Sequence, residues 1–186
     1  MNTQLARDLG LEFPIFAFTH CRDVAAAVSK AGGLGVLGVA THSPETLKAE
    51  LDWIEKEIGD KPYGVDLLLP VRFVGSDEKF DGAKMNEMIP DEHRQFLDDL
   101  LDQHDVPALP TDTKLAQPMG VGYEQQREVI EMCFERRISL IASALGPPPD
   151  WMIEQGRAKG VKVAALAGTV EHARRHVILQ MAMERP

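Results

Sequence analysis

The sequence predicts an α/β fold built on a parallel sheet. Two observations predict it. Short apolar runs alternate with longer segments of helical periodicity, five times along 186 residues, which is the pattern of consecutive βα units. The apolar runs are also continuous rather than alternating, as in Leu34-Gly-Val-Leu-Gly-Val-Ala40, and strands covered on both faces read that way. An open doubly wound sheet and a closed barrel both satisfy the pattern, and periodicity alone does not choose between them.

The elements follow in order. Pro14 to Thr19 is a short strand rich in strand formers. Asp23 is a plausible N-cap for a helix with Val24, Ala27, Val28 and Ala31 at helical spacing, ended by Gly32-Gly33. Leu34 to Ala40 is the second strand. Ser43-Pro44 opens the next helix, a capping hydroxyl followed by proline at the first helical position. That helix carries Leu47, Leu51, Ile54 and Ile58 along one stripe and ends at Gly59. Pro62 to Pro70 is the third strand.

The rhythm then breaks. Residues 71–118 form a charged excursion, read as an insertion or lid covering one end of the sheet. It contains one amphipathic helix, Asp91 to Asp105, with Phe96, Leu97, Leu100 and Leu101 as its apolar side. The rhythm resumes with a helix from Tyr123 to Arg137, with Val129, Ile130, Cys133 and Phe134 inward, and a strand from Ile138 to Gly146. A helix follows from Asp150 to Lys159, then a fifth strand from Val161 to Gly168. A last helix begins at Thr169 or Val170. The whole chain, 1–186, reads as a single domain.

Composition removes some functions. At 44% hydrophobic, 26% charged and a formal charge of −9, the chain lacks the positive surface that nucleic acid or an anionic membrane attracts. Cys21 and Cys133 share no metal-type spacing, and a reducing cytoplasm suits them better than a disulfide framework. No apolar run approaches a membrane span.

Gly33-Leu-Gly-Val-Leu-Gly38 matches the dinucleotide fingerprint letter for letter. The fingerprint needs its glycines between a strand and the following helix. Here they follow a helix and enter a strand, so a helix end and close strand packing explain them. The C-terminal ends of the strands are the better place for a site in a parallel fold. Those ends carry His20 and His42 on neighbouring strands, a polar pair or simply two surface loop histidines. Asp66 is the ionisable residue inside the apolar third strand. Val65 and Leu67 alternate toward the helices, which points Asp66 into the sheet's other face, where a buried carboxylate needs a partner. His172 and His176 have metal-compatible i, i+4 spacing without a third ligand, and a solvated helix face suits them better. No metal is expected, and no catalytic residue is assigned.

Several blocks taken together resemble the nitronate monooxygenase (2-nitropropane dioxygenase) family. They are Leu11-Glu-Phe-Pro-Ile-Phe16, Ala25 to Gly38, Ser43-Pro-Glu-Thr-Leu47, Lys61-Pro-Tyr-Gly-Val-Asp-Leu67, Ala142 to Pro149 and Gly160 to Gly168. The resemblance implies an FMN-dependent (β/α)8 TIM barrel, present here as about five βα units with an insertion after the third strand. It implies oxidation of alkyl nitronates by O₂ to a carbonyl compound and nitrite, with a small-molecule substrate. Ala17, Phe18 and Thr19 then stand where the family has an Ala-Pro-Met loop against the flavin ring. Asp66 stands where an asparagine usually meets the flavin, exchanging an amide for a carboxylate that only accepts when ionised. Ser143, Ala144, Ala167 and Gly168 border the isoalloxazine.

The family pattern continues with a Gly-Gly-His segment carrying the catalytic base and with glycine-rich phosphate loops, and Ile178 to Pro186 does not match it. The expectation is therefore a truncated copy, a fragment or a frameshifted reading frame, with weak flavin binding and self-association through unpaired barrel edges. The alternatives are a non-catalytic remnant or interaction module of the same fold, or a related flavin-dependent enoyl reductase.

Overall fold

The computed structural model describes residues 3–69, 87–109 and 123–182. The chain forms two compact units, Met1–Val74 with Met119–Pro186, and Gly75–Pro118. The predicted insertion, 71–118, overlaps the second unit; its residues 71–86 and 110–118, like the strand end predicted at residue 70, lie outside the described residues.

The first unit begins with a helix that the sequence pattern does not announce, α1 (Gln4–Asp8). It is too short to show a stripe, but Thr3 caps it by accepting from the Ala6 N–H at 3.2 Å. Five βα units follow: β1 (Phe16–Thr19) and α2 (Arg22–Lys30), β2 (Leu34–Gly38) and α3 (Pro44–Ile58), then β3 (Tyr63–Leu68). In the second unit lies α4 (Asp91–Gln103). The first unit resumes with α5 (Tyr123–Phe134), β4 (Leu140–Ala144), α6 (Asp150–Lys159), β5 (Lys162–Ala165) and α7 (Val170–Ala182).

All four strand pairings are parallel and the sheet order is β1-β2-β3-β4-β5. Sequence order and spatial order coincide, so the winding never reverses. A doubly wound sheet reverses partway, whereas a barrel keeps one direction and puts its helices on one face. The fold is α/β, five βα units of a TIM barrel.

The two faces of the sheet differ accordingly. Leu37, Tyr63, Val65, Leu67 and Ile141 pack against the helices. Opposite them lie Leu47, Leu51, Ile54 and Ile58 of α3 and Ile130, Cys133 and Phe134 of α5. Each such buried side chain contributes roughly 1.5–3 kcal/mol of transfer free energy. The inner face is smaller and poorer: Leu34, Val36, Leu140 and Ala142, closed at one end by Leu9 just after α1.

The glycines of 33–38 have structural duties. A Cβ at Gly35 would lie 2.0 Å from the Ala25 carbonyl oxygen, so α2 rests directly on β2 there. The Gly35 N–H donates to the Ser29 hydroxyl at 3.1 Å, a buried bond that locks the contact. Helix starts are mostly where the sequence puts them. The Ser43 hydroxyl accepts from the Thr46 N–H at 3.3 Å, and α6 begins at Asp150. For α2 the cap position is Cys21, with Asp23 in the first turn instead. The apolar side of α4 is found as predicted in sequence, yet Phe96, Leu97, Leu100 and Leu101 are all exposed.

Candidate active site

The strand register brings inner-face residues into rows. One row runs Gly38, Asp66, Ala142, Ala164 across β2 to β5, near the C-terminal end of the sheet. Asp66 is therefore flanked by a glycine and an alanine, neither of which offers it a polar group.

Asp66 is 7% exposed. Its Oδ1 is sealed from solvent without a hydrogen-bond partner. Burial pushes the carboxyl up to about 6, and the charge of His20 pulls it partly back. A buried polar atom left unmatched costs free energy, and the described residues supply no hydrogen bond to Oδ1.

Gly38 makes room for what lies above it. A Cβ there would come within 2.8 Å of His20 Nδ1 and 2.9 Å of Phe18 Cε2. The two rings meet edge to face, with centroids 5.0 Å apart and planes at 82°. The bare backbone of β2 thus admits an aromatic pair from the end of β1 beside the row that holds Asp66. Phe18 is 57% exposed beside the His20 ring.

The other predicted residues separate by side-chain direction. Ala17 and Thr19 pair with Gly35 and Leu37, the register of the helix-facing side, and the Thr19 hydroxyl accepts from the Cys21 N–H at 3.0 Å. Ser143 is fully buried on that side as well, and its hydroxyl donates to the Gly146 carbonyl at 2.8 Å. Ala144 lies in the inner row with Leu68. His42 follows β2 in a turn whose N–H donates to the Val39 carbonyl at 3.1 Å. It is half-buried, with Nδ1 sealed and unpartnered.

At the ends of β4 and β5 lies a cavity of about 740 Å³, within the range of roughly 300–1,000 Å³ common for ligand sites. The turns 144–147 and 166–168 line it together with His172, Arg175 and His176 of α7. It gathers three residues expected from the sequence, Ala144, Ala167 and Gly168. One wall contains Leu145 at φ 68°, a left-handed backbone that costs a non-glycine residue about 1–2 kcal/mol. Thr169 starts α7 by accepting from the His172 N–H at 3.2 Å.

Sequence reasoning placed His172 and His176 on a solvated helix face. His172 is exposed, as that reading has it, while His176 is half-buried with its Nδ1 sealed and unpartnered, and both line the cavity. The available signal was position: both lie in the first turns after the end of a strand.

A model of the nitronate monooxygenase family matches residues 9–181. Rv1533 of Mycobacterium tuberculosis, named as a monooxygenase, is 49% identical over 180 residues, covering 95% of this chain and 48% of the relative. A Staphylococcus saprophyticus protein carrying the name nitronate monooxygenase is 25% identical over 179 residues, covering 93% of this chain and 45% of its own. Among solved structures, nitroalkane oxidase from Streptomyces ansochromogenes superposes with a TM-score of 0.63 at 18% identity, over 95% of this chain and 46% of that one. At that identity the likeness speaks for the fold. The chain spans about half the length of the curated relatives it matches. With the family match covering nearly all of its residues, the chain belongs to the nitronate monooxygenase family.

Proposed function

We propose that the protein is an FMN-dependent oxidoreductase of the nitronate monooxygenase type. It would convert alkyl nitronates and O₂ into carbonyl compounds and nitrite. The observation that carries the reading is Asp66: a buried carboxylate oxygen without a partner, on the inner face near the C-terminal end of the sheet, in a chain of this family.

The residues suit a flat, partly polar ring. Asp66 offers an unmatched acceptor for a ring N–H. Phe18 offers an exposed aromatic face. Ala144, Ala167 and Gly168 are small, and among the described residues a Cβ on Gly168 would meet the His172 ring alone, at 3.9 Å. Ala17, Thr19 and Ser143 would contribute through their backbones, since their side chains follow the helix-facing register. The flavin, when bound, supplies the electron-accepting centre. The protein's part is to hold the ring, through Asp66 and the Phe18 face, and to orient substrate against it.

The test is direct. Add FMN to the purified chain, remove excess, and record the visible spectrum and nitronate-dependent O₂ uptake. A retained flavin band with uptake supports the reading. Flavin retention with NAD(P)H-dependent reduction of an enoyl thioester, and no nitronate turnover, would favour the enoyl reductase alternative. No retained flavin at all would favour the interaction module.

A further inference from the structure

We propose that the cavity at the ends of β4 and β5 binds a phosphate monoester, gripped by Arg175, His172 and His176 of α7. The inference goes beyond the flavin reading. The cavity shares Ala144, Ala167 and Gly168 with that site, but the phosphate seat does not depend on a bound ring.

Spacing on the helix comes first. Positions 172, 175 and 176 stand at i, i+3 and i+4 on α7, which puts their side chains on one face. All of them line the same cavity of about 740 Å³. Among the described residues no ion pair or hydrogen bond engages these side chains, and the His176 Nδ1 is sealed without a partner. Two carboxylates lie close in the fold and leave the cluster unanswered. Glu171 is exposed and forms no described ion pair with Arg175, one turn on. Asp150 shares with His176 only the small adjoining cavity of about 70 Å³, without an ion pair. In a chain of net charge −9, this is a local concentration of donors and not part of a general basic surface.

The donor set selects the ligand. The Arg175 guanidinium presents a planar fork to two oxygens of one anion. The two imidazoles add N–H donors from other directions, which suits a tetrahedral group with three terminal oxygens better than a flat carboxylate. The organic part of an ester also has a place. The rest of the lining is small or apolar, with Ala144, Leu166 and Ala167, and Leu145 and Leu166 are exposed. Gly168 leaves space between the strand end and the His172 ring. Binding alone is proposed, and no bond is made or broken.

The probe is phenyl phosphate, titrated into the full chain at constant ionic strength and followed by the phosphorus line and the histidine ring protons. Binding should saturate, with the His172 and His176 signals moving and those of His93 and His104, on or beside α4, unmoved. Arg175→Ala should weaken binding roughly 10-fold or more, the scale of a hydrogen bond between charged groups. Arg175→Lys should lose less, because it keeps the charge and gives up the fork. Arg174→Ala removes the same charge one position away, outside the cavity lining, and should leave the affinity unchanged.

Equal weakening by Arg174→Ala and Arg175→Ala overturns the proposal, since it would show attraction to the helix as a whole. Binding that does not saturate overturns it too. Should Arg175→Ala not fold, the wild-type histidine signals decide, and unmoved His172 and His176 overturn the proposal. FMN and riboflavin then separate two sources of such a phosphate. FMN that displaces phenyl phosphate and outbinds riboflavin assigns the seat to the flavin's own phosphate; phenyl phosphate retained beside FMN assigns it to a second phosphorylated small molecule. A chain that takes phenyl phosphate but neither flavin keeps this subsite and loses the flavin reading.

Discussion

Gly35 and Ala25 touch backbone to backbone: a Cβ on Gly35 would sit 2.0 Å from the Ala25 oxygen and 2.7 Å from its Cα. Neither atom can turn aside as a side-chain tip could. Gly35→Ala should therefore push α2 off β2 and break the buried bond from Gly35 N–H to Ser29. Overpacking of this kind costs roughly 1–3 kcal/mol, occasionally more. Urea denaturation should show a lower midpoint, and an unchanged one would refute the contact.

Glu55 joins α3 to the start of the fourth βα unit. Its Oε1 accepts from the Tyr63 hydroxyl at 2.8 Å and from the Arg137 N–H at 3.0 Å, while Arg136 pairs with Asp52 and Glu55. Glu55→Ala leaves the buried Tyr63 hydroxyl without its acceptor, a loss of roughly 1–3 kcal/mol. Glu55→Gln can still accept and should recover most of it. Thermal melts of the three proteins decide.

Asp66 makes stability fall with rising pH. An unfolded-chain carboxyl titrates near 3.8, and burial raises this one to about 6. The folded state holds the proton more tightly, so the contribution is full below pH 3.8 and is lost as pH rises through 6. Asp66→Asn removes the buried charge and should gain roughly 1–2 kcal/mol over wild type at pH 8. That gain should shrink toward zero below pH 4 in a pH series of denaturation midpoints.

Leu145 holds φ 68° at the cavity wall and is 68% exposed. Glycine adopts that backbone freely but loses more freedom on folding. Leu145→Gly should raise stability by a few tenths to about 1 kcal/mol. A fall in melting temperature would show that the leucine side chain has packing worth more than its strain.

Self-association is expected through the outer strands. β1 is one of them, and Phe16 is 41% exposed and Ile15 58%. Unpaired parallel edges with apolar flanks recruit other chains. Sedimentation should show concentration-dependent oligomers, and Phe16→Ser should reduce them.

The βα rhythm was legible in the chain without coordinates. Strand cores covered on both faces and stripes such as Leu47, Leu51, Ile54 and Ile58 are local consequences of burial, and they survive as written in the structure. Asp66 stood out as well, because a charge inside an apolar strand is visible from the residues alone. Strand ends were drawn too long, since β5 stops at Ala165 while apolar residues continue to Gly168. Apolar composition does not reveal where a ladder loses its partner.

Three things waited for tertiary structure. The strand order separated a barrel arc from a doubly wound sheet, because crossover direction leaves no periodicity in the chain. Register put Gly38 beside Asp66 and let His20 and Phe18 close over the gap, a meeting of residues 18, 20, 38 and 66 that no local pattern encodes. Direction also divided the expected site: Ser143 turned to Gly146 while Ala144, one residue on, faces inward. A period of two fixes alternation, but which face holds the site depends on which face the helices cover.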